Sequence, residues 1–313
     1  MNYFQKYQKE DFQHFIKTRP YETKLGEKIH VGNLEGKYVI IGIPESIGIK
    51  ANHGIGGSES LWEAFLASFL NIQSTKKLSE NDISVLGYFD FYSLKNEEIT
   101  VELIDNEVEK VIFEITSKGK IPIVIGGGHN NAYPILRGVS KAKNQAINCI
   151  NLDAHTDFRQ KESRHSGNGF RYAYEERFLK QYAIIGLHEN YNSQAIINEI
   201  SATLDIDFSF YEDIFIREKL TFNDAIYQAI NFTKNTFTGI ELDLDAIQNT
   251  LSSAISPCGI SSLQARQYLY LTSQNCQISY LHIAEGATQL ANGQTDLLTA
   301  KLVSYLVSDF LKN

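Results

Sequence analysis

Residues 146–160 read "AINCINLDAHTDFRQ", an apolar run that ends in Asp153, His155 and Asp157 at every second position. Alternate side chains of an extended segment share a face, so two carboxylates and an imidazole converge at the end of what reads as a buried strand. Seven further short apolar runs recur at wide intervals: "KYVIIGI" (37–43), "ISVLGYF" (83–89), "IPIVIGG" (121–127), "YAIIGL" (182–187), "LDIDFSFY" (204–211), "TGIELDLD" (238–245) and "ISYLHIAE" (278–285). Each has the composition of a strand buried on both faces. Between them lie segments with helical spacing, including "SESLWEAFLASFL" (58–70), "VELIDNEVEKVIFEITSKG" (101–119), "NAYPILRGVSKA" (131–142), "FNDAIYQAINFTKN" (222–235) and "TDLLTAKLVSYLVSDFLK" (295–312). The alternation predicts an α/β fold with an open, mainly parallel, eight-stranded sheet and helices on both sides. No Pro-rich or Ser-rich linker and no internal repeat divides residues 1–313, so one domain is expected. Residues 1–35 show no clear period and are expected to wrap the sheet edge.

Composition narrows the function classes. With 37 acidic against 29 basic side chains the formal charge is −8, the wrong sign for a partner of nucleic acid. Short basic clusters such as "STKKL" (74–78) read as solvated helix ends and loops. No window approaches eighteen consecutive apolar residues, and the aromatic, charged start lacks the features of a secretion signal, so no membrane partner is expected. Cys149, Cys258 and Cys276 are odd in number and far apart, which fits a reducing cytoplasm and no disulfide framework.

Ligands of parallel α/β sheets bind beyond the carboxyl ends of the strands, and three runs end in reactive side chains there. "IPIVIGGGHNN" ends in three glycines that permit a sharp exit and let His129 swing over the sheet. The next run delivers Asp153, His155 and Asp157, and "GIELDLDAIQ" brings Asp243 and Asp245 by the same alternation. Taken singly, a glycine turn is a connection, a strand-end Asp is a helix cap and a lone His is packed or solvated. Together they put four carboxylates and two imidazoles at one sheet end, where mutual repulsion raises carboxylate pKa values unless cations are present. Two divalent ions would cancel the four charges. An oxygen-rich set with a minority of imidazole suits manganese better than zinc, and two such ions about 3.5 Å apart can lower the pKa of a shared water enough to make a nucleophile.

"GGGH" (126–129), "DAHTD" (153–157) and "DLD" (243–245) resemble, in order, the three metal motifs of the ureohydrolases: arginase, agmatinase, guanidinobutyrase and formimidoylglutamase. The resemblance runs from about Tyr38 to Glu285 and includes "GIPESIGIKANHGIGG" (42–57). It implies an arginase-like three-layer α/β/α sandwich holding two Mn2+ per chain. It also implies that His129 and Asp157 bind one ion, His155 and Asp245 the other, with Asp153 and Asp243 bridging. Asp157 would further accept a hydrogen bond from a metal-bridging hydroxide, and Glu285, at the end of "YLHIAEG", would pair with the substrate's cationic nitrogen group. Relatives assemble, so a homo-oligomer is implied. Two departures stand out: "DAIQNTLSSAISPCGIS" (245–261) replaces the family's Asp-Pro and Pro-Gly-rich loop, and Glu241 occupies a position where a small residue is usual.

The loop after "DAHTD" carries the substrate cues. Ser166, Gly167 and Asn168 are similar to the Ser-Gly-Asn of arginases, whereas Arg159, two beyond Asp157, matches the Arg of formimidoylglutamases. A forked guanidinium suits the extra carboxylate of formimidoylglutamate and repels agmatine, so N-formimidoyl-L-glutamate, cleaved to L-glutamate and formamide, ranks first. Arginine, giving ornithine and urea, ranks second, and agmatine or guanidinobutyrate third. His165 reads either as a proton shuttle to the leaving nitrogen or as a loop residue facing water. His282 reads as a packed group or one supporting the ligands. Two rival readings are a dimetal phosphoesterase, whose downstream Asn-His-Glu or Asn-His-Asp motif is missing here, and an inactive arginase-fold binding protein, against which the full ligand set argues.

Overall fold

The computed structural model describes residues 3–93 and 99–312. The eight apolar runs form β3 (Tyr38–Gly42), β4 (Ile83–Phe89), β5 (Ile121–Ile125), β6 (Ile147–Leu152), β7 (Leu179–Leu187), β8 (Ile206–Phe210), β9 (Thr238–Asp243) and β10 (Ile278–Ala284), preceded by β1 (Phe4–Lys6) and β2 (His30–Val31). They make one sheet in the order β1-β4-β3-β5-β10-β9-β6-β7-β8, with β2 also against β4. All pairs are parallel except β1 with β4. Among the described residues the expected count of eight is therefore corrected to ten. The added strands come from the N-terminal segment and are two or three residues long, too short to show a period of two. What holds β1 is aromatic packing: Phe4 meets Phe89 at 5.0 Å and Tyr3 meets Phe91 at 5.4 Å.

Alternation along the central strands divides the core into two. Ile150, Leu152, Ile240, Leu242, Leu281 and Ile283 face the layer of α2 (Leu61–Phe69), α8 (Phe222–Thr233), α9 (Ser262–Asn275) and α10 (Leu298–Leu311). Val124, Cys149 and Tyr280 face the layer of α3 (Val101–Ser117), α4 (Ala132–Lys143) and α5 (Gly169–Glu175). The short α1 (Ile47–Ala51), α6 (Gln194–Ala202) and α7 (Tyr211–Phe215) complete the set. Covering both faces removes the apolar side chains of every central strand from water, as a parallel sheet requires. Helix ends follow local chemistry: Thr100 caps α3 by accepting from the Leu103 N–H at 3.2 Å, and α4 stops at Asn144 in the left-handed region. Among the described residues no helix is long and apolar enough to cross a membrane.

The strand order positions the site. After β5 the chain skips two strand positions to lay down β6, builds outward through β7 and β8, and only then returns to fill the gap with β9 and β10. The carboxyl ends of β5, β10, β9 and β6 thus sit side by side where the winding reverses, the crevice in which open α/β sheets bind ligands.

Candidate metal centre

The three motifs meet above those four strands. His129 Nδ1 lies 2.9 Å from Asp157 Oδ2, 3.1 Å from Asp243 Oδ2 and 3.2 Å from Asp153 Oδ2. These four groups are close enough to share one cation. His155 stands on the other side of Asp153, its Nδ1 3.6 Å from Oδ1, and Asp245 joins it in lining the same cavity of about 680 Å³. The structure therefore brings all six side chains together. Hydrogen bonds hold three of the carboxylates in place. Asp153 Oδ1 accepts from the His155 N–H at 2.7 Å and Oδ2 from Asn151 at 2.9 Å; Asp243 Oδ1 accepts from the Asp245 N–H at 2.6 Å, and Asp245 Oδ1 from the Ala254 N–H at 3.1 Å. Asp157 sits in the left-handed region (φ 44°), as does Glu285 (φ 67°), a costly backbone for non-glycine residues that their surroundings enforce.

The glycine turn has a specific anchor. The buried Glu45 carboxylate accepts from the Gly128 N–H at 3.1 Å and from Asn131 Nδ2 at 2.7 Å, tying the exit of β5 to the loop after β3. Gly127 has φ +74°, and a Cβ there would lie 2.4 Å from Asn131 Nδ2 and 3.1 Å from Glu45. Gly127→Ala is expected to cost about 1–3 kcal/mol of stability and to loosen His129. Gly126→Ala, whose Cβ meets nothing nearer than 3.4 Å, should cost less. Urea midpoints of the two variants check this; equal losses would refute the anchoring role of Glu45.

Electrostatics point to cations. Burial raises Asp157, Asp243 and Asp245 above the usual carboxylate range, and for Asp157 and Asp243 neighbouring carboxylates add to it. Glu285, buried beside Asp245, is pushed up to about 8. Burial opposes protonation of His155, but Asp153, Asp245 and Asp157 override it and raise the imidazole to about 10; His129 is raised in the same way. Unlike its neighbours, Asp153 is driven down, because hydrogen bonds from His129 and His155 outweigh burial. A set that must hold protons to offset its own charge is suited to divalent ions of oxygen preference, and the donors fit two of them.

Glu285 closes the floor. Its Oε1 accepts from the His129 N–H at 2.7 Å and its Oε2 from Ser253, a residue of the atypical loop that also bears on Asp245. Arg159 and Ser166 line the cavity mouth; Arg159 Nη1 donates to Asn52 Oδ1 at 2.7 Å, and Asn52 Nδ2 donates to Ser166 Oγ at 3.2 Å. Asn168 and His165 are not part of that lining. Asn168 Oδ1 accepts from Arg164 at 2.7 Å, and the His165 ring is held between the Gly167 N–H (3.1 Å to Nδ1) and Glu162 (3.1 Å from Nε2). Arg164, itself bound to the buried Asp105 at 2.8 Å, organises this loop against α3. Sequence reasoning quoted the segments that carry Glu45, Asn52 and Ser253 but gave none of the three a role. Glu241 it noticed only as a departure; the structure puts Glu241 directly behind His129.

Comparison with known proteins agrees with this geometry. The model of the arginase family matches residues 36–308. The formimidoylglutamase of Macrococcus caseolyticus is 28% identical over 292 residues, covering 91% of this chain and 86% of that protein. Among solved structures, Trypanosoma cruzi formiminoglutamase with Mn2+ superposes with a TM-score of 0.78 at 21% identity, over 93% of this chain and 97% of that one. Bacillus subtilis formimidoylglutamase superposes with a TM-score of 0.76 at 19% identity, over 95% and 93%.

Proposed function

The chain belongs to the arginase family, and we propose that it is a dimanganese enzyme that hydrolyses N-formimidoyl-L-glutamate to L-glutamate and formamide. Its coarser character, a metal-dependent hydrolase of C–N bonds in linear amidines, follows from its relatives and the donor set. The observation that carries the reading is the convergence of four carboxylates and two imidazoles on one cavity that Glu285 and Arg159 also line. In this reading His129 and Asp157 would hold one ion and His155 and Asp245 the other, with Asp153 and Asp243 shared between them. When bound, the ions supply Lewis acidity and activate a water as nucleophile at neutral pH.

The protein's own groups do the rest. Glu285, fixed by the His129 N–H and Ser253, receives the amidinium and turns its carbon toward the ligand cluster, so that attack becomes a matter of proximity. Asp157, on its constrained backbone, accepts the hydrogen bond that orients the nucleophile. At the mouth, Arg159 offers forked donors to the far carboxylate, with Ser166 beside it. Water adds its oxygen to the amidine carbon across the C=N bond; the C–N bond to glutamate then breaks, the departing amine takes the hydroxyl proton and formamide is left. His165 and Asn168 are held by Glu162, Gly167 and Arg164 rather than by the ligand cluster, and this scheme gives them no step.

A manganese-loaded assay of formimidoylglutamate, arginine, agmatine and guanidinobutyrate, following formamide and urea, tests the assignment. Formimidoylglutamate should turn over fastest. Arg159→Ala should lose most of that preference, about 10- to 100-fold in kcat/KM for a charge-assisted pair of roughly 1.5–3 kcal/mol. Urea from arginine as the dominant product would overturn the ranking.

A further inference from the structure

Beneath the ligands lies a second row of polar groups that the proposed chemistry does not use. Glu241 on β9 is the register partner of His282 on β10 and of Asn151 on β6, so the three share one face of the sheet, one step below Asp243 and Asp153. Glu241 and His282 are fully buried, as is Tyr280, among the most expensive groups a core can hold. Their contacts form a continuous chain. Tyr280 OH donates to Glu241 Oε1 at 2.8 Å; Glu241 Oε2 lies 2.7 Å from His282 Nδ1 and 3.3 Å from His129 Nε2; His282 Nε2 lies 3.3 Å from the carbonyl of Gly126, the first glycine of the turn that carries His129. The arrangement is built into the sheet. A Cβ at Gly239 would lie 2.1 Å from the Tyr280 ring, so only glycine there lets the phenol reach Glu241.

We propose that Glu241 is a positioning residue for the metal centre: it takes the Nε2–H of His129, which commits Nδ1 to the cation, and it places a negative charge behind the ring that makes Nδ1 a stronger donor. The inference rests on the reading of His129 as a metal ligand. Two facts carry it beyond that reading. His129 has Nδ1 facing three carboxylates and Nε2 facing Glu241, so a hydrogen bond to Glu241 on the far side holds the ring with Nδ1 directed at the ligand cluster. Glu241 is in turn locked by Tyr280 and His282, and His282 ends on the same turn, so ring and backbone are fixed by one network. A carboxylate behind a ligating imidazole raises its basicity, and loss of such partners weakens metal binding about 10- to 100-fold. The effect should fall on the ion held by His129 and spare the one held by His155, which has no contact with this row.

The test is a Mn2+ titration of the metal-free full-length protein, read by calorimetry and by electron paramagnetic resonance, for wild type, Glu241→Gln, Glu241→Ser and Tyr280→Phe. Wild type should take up two ions and give the spectrum of a coupled pair. Glu241→Gln should weaken one of the two sites about 10-fold and Glu241→Ser about 100-fold, with the other site within twofold. At intermediate Mn2+ the coupled spectrum should give way to the six lines of an isolated ion. Tyr280→Phe, which removes a single hydroxyl, should weaken the same site by roughly 5-fold, and it decides the matter if the Glu241 variants do not fold. Wild type binding fewer than two ions would overturn the metal-centre reading itself. Two ions in wild type, with unchanged affinities in the folded variants, would overturn only the role of Glu241.

Discussion

Asp243→Asn is expected to lower kcat/KM on the preferred amidine by roughly 10³-fold or more while leaving the fold intact. Asp243 sits between both halves of the site: its Oδ2 is 3.1 Å from His129 Nδ1, and its Oδ1 accepts the Asp245 N–H. An amide in its place keeps the size and one acceptor but loses the charge, and with it several kcal/mol of cation binding and transition-state stabilisation, each 1.36 kcal/mol being tenfold in rate. Circular dichroism should be unchanged, because burial already disfavours the ionised form of this carboxyl. The reading of the chain as an enzyme is at stake in the same measurement. If manganese-loaded wild type and Asp243→Asn were equally inert on all four amidines, the inactive binding-protein alternative would prevail.

The metal-free protein should lose stability as pH rises from 6 to 9, and manganese should reverse the trend. The sign follows from which state holds more protons. Glu285 is raised to about 8, so between its unfolded value and about pH 8 the folded state is the more protonated and stability falls as pH climbs; Asp157, Asp243 and Asp245 are raised by burial and act in the same direction. His155, raised to about 10, keeps its proton through the window in which the unfolded imidazole loses its own, and contributes in the same direction. Asp153 and Glu241, the latter lowered to about 2, act oppositely but only at strongly acidic pH. The melting temperature should be at least about 5 °C lower at pH 9 than at pH 6. Manganese loading near neutral pH should release protons, measurable with an indicator dye, and raise the melting temperature most at high pH. A metal-free protein whose stability is flat or rises between pH 6 and 9 would contradict this electrostatic picture of the site.

The sequence alone indicated which residues gather at the proposed metal centre and where the strands run. Strand positions follow from apolar runs buried on both faces, a local pattern that survives without knowledge of neighbours, and alternation fixes which side of each strand a carboxylate takes. The ten-strand count escaped because β1 and β2 are too short to carry a period; α9 was not singled out because the exposed Leu263 and Tyr270 blur the apolar stripe of Ala265, Tyr268, Leu269 and Thr272. Tertiary structure decided everything that depends on contacts between distant segments. Glu45 reaches 83 residues along the chain to the glycine turn, and Ser253 reaches 32 residues to Glu285. Arg164 holds Asn168, and Gly167 and Glu162 hold the His165 ring, contacts that no local pattern announces. Above all, Glu241 acquires meaning only when β9 and β10 slide into the gap between β5 and β6, because a carboxylate in an apolar run is a liability until register sets His282, Tyr280 and His129 around it.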